Sequence, residues 1–388
     1  MSILKTFLLT VALLTEFFSL GATNVVANAN DTGAGSLRQT IADSFPGDTI
    51  TFSNTLSGFT ILLASGQITL SNAVVIDATS LPGGIQINGN SNGRIFEVAS
   101  SATVVLNSLT ITNGKVTGLH PSGSGGGILN NGKLTLNRCT LVGNQADAYG
   151  GGIENNLGGL LTVNQSTLTA NSCAAAGGAA IDISGGTVTV SQSTVTGNSA
   201  LYHNGSGGIY SASAFKLSNS IVAGNFAQNY TNTFGIVSST GVNLTNGSPL
   251  LAPFGNYGGP TQTRPPLPGS PAIDGCAKGT GFATDQRGFV RVSGAFADIG
   301  AVEGVFNPAG PGVLTGTSQL GDGSFRLSFT NYGGMPHAVL ATPNMALPSN
   351  LWSNLGAAVE TPPGSGQYQF TDLQAMSYSQ RFYQVRSP

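Results

Sequence analysis

The chain has 388 residues, only 8% of them charged, and its 14 basic and 16 acidic side chains leave a net charge of -2. Ordinary globular chains carry about 25% charged residues, so polarity here comes from Thr, Ser and Asn, while Gly, at 56 residues, stands at roughly twice its average usage. No Lys/Arg cluster exists to meet a polyanion, which argues against nucleic acid as a partner.

The chain opens with one cation, Lys5, then an apolar stretch from Thr6 to Leu14, then the small residues Ser19, Gly21 and Ala22. That order predicts a secretory signal over residues 1–22, cleaved near Gly21 or Ala22. Glu16 interrupts an apolar run already short of the roughly 20 residues a membrane span needs, so no transmembrane span is expected in the mature chain. The expected location is secreted or cell-surface, either extracellular or associated with an outer membrane. Cys139, Cys173 and Cys276 are odd in number and far apart, which is no disulfide framework. They read as small buried side chains, with a Cys139–Cys173 bridge left open.

Internal repetition is the main signal that follows. Asn144, Asn171, Asn198 and Asn225 lie 27 residues apart, each closing a short run: TLVGN, TLTAN, TVTGN and IVAGN. Leu134-Thr135-Leu136, Leu161-Thr162-Val163, Val188-Thr189-Val190 and Phe215-Lys216-Leu217 recur at the same step. A third series, Gly127-Ile128, Gly152-Ile153, Ala180-Ile181 and Gly208-Ile209, varies in spacing by a few residues. Each unit therefore holds three runs that alternate apolar with polar, the period of half-buried strands, with Gly and Asn at the corners. The architecture this predicts is all-β: a three-faced parallel β-helix whose coils stack about 4.8 Å apart. The asparagines read as a structural ladder of amides in register.

Less regular runs upstream, from Ile68-Thr69-Leu70 to Thr110-Ile111-Thr112, extend the solenoid to about residues 48–260, on the order of seven coils. Open solenoid ends need covers. Residues 35–46 read as an N-terminal helical cap with Leu37, Ile41 and Phe45 toward the core, and the charge-rich stretch 262–304 as a C-terminal cap or a site. The β-helix domain is thus placed at 23–304 and a Gly/Pro-rich linker at 305–312. Alternating runs at Phe325–Phe329, Gln367–Phe370 and Arg381–Val385 predict a small β-sandwich-like domain over 313–388.

Two stretches carry a family resemblance. GSLRQTI…PGDTITF, from Gly35 to Phe52, followed by the coils, resembles bacterial secreted proteins of the pectin-lyase-like right-handed β-helix superfamily. GSPAIDG…TDQRGFVR…ADIGAVE, from Gly269 to Glu303, is similar to the ending of the choice-of-anchor Q domain group. The resemblance covers roughly residues 24–304. It implies right-handed coiling and a cell-surface or extracellular location, and it carries over no catalytic residue. The group's members with an obvious sorting tail differ from this chain, which ends in the additional β-rich segment instead.

A polysaccharide lyase or glycoside hydrolase is the enzyme alternative. Such enzymes cluster carboxylates, with a base or a Ca²⁺ site, on consecutive coils. Between Ser100 and Pro260 the acids are only Asp147, Glu154 and Asp182, and the motifs Asn-Thr-Asp, Gly-His-Gly and Arg-Ile-Lys are absent. Glu154 and Asp182 are the low-ranked catalytic candidates: they follow Ile153 and Ile181 in consecutive coils, are expected to point outward, and would stand near the spacing of a retaining glycosidase. Tyr210 takes the same place one coil on, with His203 in the loop before it, as candidate sugar contacts. The plainer reading, that outward positions are polar anyway, is favoured.

Asp274, Asp285, Asp298 and Glu303 are weak Ca²⁺ candidates, outweighed by a salt-bridged cap because Arg287 and Arg291 lie among them. Thr110/Thr112, Thr167/Thr169 and Thr194/Thr196 form an array of expected outward hydroxyls, which raises ice binding as a lesser alternative. No cofactor motif is present. The expected function is that of an exported, non-catalytic surface or matrix protein whose β-helix faces bind polysaccharide or cell-surface components.

Overall fold

The computed structural model describes residues 21–202, 204–276, 281–304, 313–331, 337–348, 351–361 and 367–386. Most of the expected signal and the expected linker lie outside the described residues. The described chain is almost entirely β, with a parallel solenoid of about eight turns followed by antiparallel sheets.

One turn shows the plan. Ile128–Asn130 lies on a first face, Lys133–Asn137 on a second, Thr140–Val142 on a third, and Gln145–Ala146 forms a short fourth ladder. Each strand pairs in parallel with its equivalents one turn away. Leu134 lies between Val104 and Leu161, Leu141 between Ile111 and Leu168, and Ile128 between Phe96 and Ile153. Alternation sends Leu134 and Leu136 inward and leaves Thr135 and Asn137 partly exposed. The inward residues form one continuous aliphatic core. Each fully buried aliphatic contributes roughly 1.5–3 kcal/mol, and stacking is what buries it.

The corners turn sharply because single residues take the left-handed conformation. Between the second and third faces these are Ser108, Arg138, Gln165, Gln192 and Asn219, with φ of 55°, 54°, 47°, 44° and 46°. Past the third face they are Asn113, Gly143, Ala170, Gly197 and Gly224, each immediately before a rung of the asparagine ladder or its upstream equivalent Gly114. In that ladder the side-chain amide of Asn144 donates to Asn171 Oδ1, Asn171 to Asn198, and Asn198 to Asn225, each at 2.9 Å. Each Oδ1 also takes the backbone N–H of the preceding rung, at 3.0–3.1 Å. Asn232, off the repeat, continues the column past Asn225. A second column runs beside it, in which Cys139, Ser166 and Ser193 donate their backbone N–H to Ser166, Ser193 and Ser220 Oγ.

The stack begins earlier than the repeat suggests, because Thr23–Val26 pairs in parallel with Thr49–Phe52. The helix Leu37–Ala42, capped by Ser36 Oγ accepting from Gln39 N, buries Leu37 and Ile41. Phe45, expected to join them, lies beyond the end of the helix and is 74% exposed.

The described residues of 249–304 do not stack as a further coil. They run back as a strap along the third face: Thr261 Oγ1 donates to Arg138 O, Thr140 Oγ1 to Gln262 O, and Ala301 N to Thr194 Oγ1. Gln286 is the centre of this contact, donating to Cys139 O and Thr140 Oγ1 and accepting from Thr167 Oγ1. A role for 262–304 as an end cover is therefore replaced by lateral packing over several coils. All three cysteines are free and buried, which closes the open Cys139–Cys173 question among the described residues.

The C-terminal unit has two antiparallel sheets. One comprises Val313–Gln319, Phe325–Thr330, Val359–Glu360 and Gln367–Asp372, the other Ala338–Thr342, Ser353–Ala357 and Phe382–Arg386. Phe325 stacks on Tyr383 across them at 5.4 Å, and the Tyr383 hydroxyl donates to Asp372.

Candidate functional site

The first face carries a column in unbroken register: Thr69, Glu97, Leu129, Glu154, Asp182, Tyr210 and Phe234. Glu154 and Asp182 are thus direct neighbours on adjacent strands. Both lie outward of the core-facing Ile153 and Ile181, as expected, yet neither reaches solvent: Glu154 is 0% and Asp182 4% exposed. The reason is the glycine-rich chain before each first-face strand, which doubles back over the outer side. Gly178 N donates to Asp182 Oδ1 at 2.7 Å, and a Cβ on Gly177 would stand 2.6 Å from both Asp182 Oδ1 and the Tyr149 ring. Only glycine lets the backbone pass this close.

Burial governs the chemistry of the pair. Desolvation, then the neighbouring Asp182, pushes the Glu154 carboxyl up to about 9. Desolvation also raises Asp182, to about 6, against the opposing Gly178 N–H. Asp182 and Ser184 lie near enough to perturb Glu154, yet neither Glu154 oxygen makes a well-formed hydrogen bond. A buried carboxyl that is not stabilised as an anion holds its proton well above the usual carboxylate range, and of the two this applies more strongly to Glu154.

Arg94 is the residue that repeat-based reasoning missed, because its loop has no counterpart at the 27-residue step. Its buried guanidinium donates to Ser124 O at 2.8 Å, to the carbonyls of Pro121, Ser122 and Gly125, and to Gln67 Oε1 at 2.7 Å. Glu97 stands 3.9 Å away, and the Arg94 charge also reaches Glu154. Arg94 thereby pins residues 121–125, whose Gly125–Gly127 backbone stacks on Tyr149–Gly151 in the covering layer.

Tyr210 is half-buried and stacks on Phe234 at 4.6 Å, with Tyr230 tilted against the same ring at 4.5 Å. Its phenol is raised by desolvation and then by the Asp182 charge. His203 lies outside the described residues.

The C-terminal acids build the strap. Asp285 pairs with Arg287 at 2.7 Å and accepts from Arg287, Phe289 and Glu303 N–H. Asp298 accepts from Asp274 N and Gly304 N, Glu303 from Ser293 N and Asp298 N, and Asp274 from Phe296 N. Their oxygens are spread over separate backbone donors, and among the described residues no group of three or more His, Cys, Asp or Glu converges as a metal site.

The threonine array points outward as expected but is covered. Thr110, Thr112, Thr140, Thr167, Thr169, Thr194 and Thr196 are all buried, beneath or beside the strap, so no hydroxyl face is exposed there. The second face is the one left open. Thr135, Thr162 and Thr189 form one partly exposed outward column, and Asn137, Asn164 and Ser191 another. At the far end of the short fourth ladder, the outward series Lys115, Gln145, Ser172 and Ser199 closes on Phe226, 64% exposed.

No protein-family model matches the chain, and no curated protein matches it in sequence.

Proposed function

We propose that this is an exported, non-catalytic surface or matrix protein that binds polysaccharide along its second face. The observation that carries the reading is the pair of hydroxyl and amide columns, Thr135/Thr162/Thr189 and Asn137/Asn164/Ser191, repeated coil by coil on the open face. Such a row offers donors and acceptors at a constant step of about 4.8 Å, and Lys216 continues the threonine column one coil on. Exposed Tyr202, Phe226 and Tyr230 near the last coils add apolar ring faces of the kind that pack against sugar rings. The resemblance to secreted pectin-lyase-like and choice-of-anchor Q proteins supports the same location.

Burial of Glu154 and Asp182 weighs against the hydrolase alternative. A retaining glycosidase must present both carboxyls to one glycosidic bond, and here covering backbone stands over them. Affinity electrophoresis of residues 23–388 through gels containing neutral or acidic polysaccharides tests the proposal. Retardation that falls on Thr162→Glu, with the fold intact, supports it. Equal mobility of wild type and variant in every gel rejects it.

A further inference from the structure

The last strand of the solenoid, Thr233–Thr240, is hydrogen-bonded on one side only, to Ile209–Ser218. Among the described residues no strand pairs with its other edge. The strap that follows in sequence turns back along the third face, and Ile236, Ser238, Ser239 and Thr240 stay exposed. Val237 is packed against the final layer of the core, while Ile236 is 71% exposed. An eight-residue edge of this kind is a template for another strand, and proteins normally blunt such edges with Lys, Pro or a covering element. Thr233–Thr240 itself reads TFGIVSST, with neither Lys nor Pro, although its register shifts at Gly235 and Lys216 lies beside Ser238 on the neighbouring strand.

We infer that this edge is a self-association surface, on which a second copy of the chain docks by pairing Thr233–Thr240 antiparallel with its own counterpart across a two-fold axis. Two identical strands related by a two-fold run antiparallel, so their N–H and C=O rows are complementary by symmetry. Charge selects this occupant as well. A neutral strand meeting its own copy brings no unpaired charge into the seam. At the opposite end Thr23–Val26 is also paired on one side only, but the Leu37–Ala42 helix packs against it and the Arg38–Asp31 ion pair, at 2.8 Å, brings charge to that end, so the two ends are unlike. The pairing extends the molecule along its own axis and leaves the second face free, so it stands apart from the polysaccharide reading.

Sedimentation velocity of the full mature chain over a wide concentration range is the test, with hydrogen exchange at residues 233–240 recorded alongside. The expected result is a species of twice the monomer mass, with amide protection over this strand that rises with concentration. Ile236→Lys, which sets two like charges beside the axis, should halve the mass without altering the circular dichroism. Ile236→Cys should cross-link two copies under mild oxidation, keeping the test valid if the lysine variant misfolds. A monomer with an unprotected strand overturns the inference. So does a monomer whose strand is protected at all concentrations, which would assign the edge to another part of the same chain, and so does a dimer indifferent to Ile236→Lys.

Discussion

Glu154 lies directly beside Asp182 on the neighbouring strand of the first face, and both carboxyls are enclosed by backbone. The folded pKa of Glu154, about 9, exceeds the ordinary value of 4.5, so the folded chain keeps a proton that the unfolded chain releases. The pair's effect on stability is therefore least unfavourable below about pH 4, and grows more unfavourable as pH rises toward 9. Each proton so retained lowers stability by up to about 1.4 kcal/mol per pH unit. Melting curves of wild type and Glu154→Gln should diverge between pH 5 and 9, with the amide variant gaining relative stability as pH rises. Parallel curves would contradict the assignment.

The asparagine ladder predicts a stability effect without a functional one. Asn171→Ala deletes donations to Asn198 Oδ1 and Leu141 O, and strands the N–H groups of Asn144 that Asn171 accepts. Buried groups left unpaired cost about 1–3 kcal/mol. Chemical denaturation should show a loss of at least that size, with polysaccharide binding at native conditions unchanged.

The strap hangs on Gln286, which bonds to three coil residues, Cys139, Thr140 and Thr167, and to Thr261. Gln286→Ala should loosen residues 249–304 before the coils. Limited trypsin digestion should then cut faster at Arg287 and Arg291 than in wild type, because local opening sets access. Unchanged cleavage would mean the strap is held elsewhere.

Cys139, Cys173 and Cys276 are free thiols, and desolvation pushes them up to about 12, 12 and 11. A disulfide-exchange reagent should find no reactive thiol in the native chain and three after denaturation. A rapid native reaction would contradict their burial.

Much of the architecture is legible in the sequence because a solenoid writes its register as repetition. Leu134, Leu161 and Val188 occupy one column, as do Asn144, Asn171, Asn198 and Asn225. The serine column Ser166, Ser193 and Ser220 follows the same step and was there to be read. What the repeat does not carry is what covers its outward positions. Alternation correctly separates Glu154 from its inward neighbour Ile153, but the glycine corner that closes over Glu154 and Asp182 belongs to segments of varying length. The strap that buries Thr140, Thr167 and Thr194 comes from more than 100 residues later and has no period at all. Thr23–Val26 and the two-residue fourth ladder were missed because they are too short, or too unlike the later coils, to repeat visibly.

Polysaccharide binding without turnover, through the open second face, is tested most directly by one paired measurement on the mature chain. Retention in polysaccharide gels and release of reducing ends are followed together for wild type, Thr162→Glu and Glu154→Gln. Thr162 is partly exposed and points away from the core, so Thr162→Glu should change stability by only about 0.5 kcal/mol and its effect on retention reports on the face itself. The predicted result is retention of wild type and Glu154→Gln alike, loss of retention in Thr162→Glu, and no reducing ends from any of the three. Reducing ends that wild type releases and Glu154→Gln does not would contradict the account and make the buried pair catalytic.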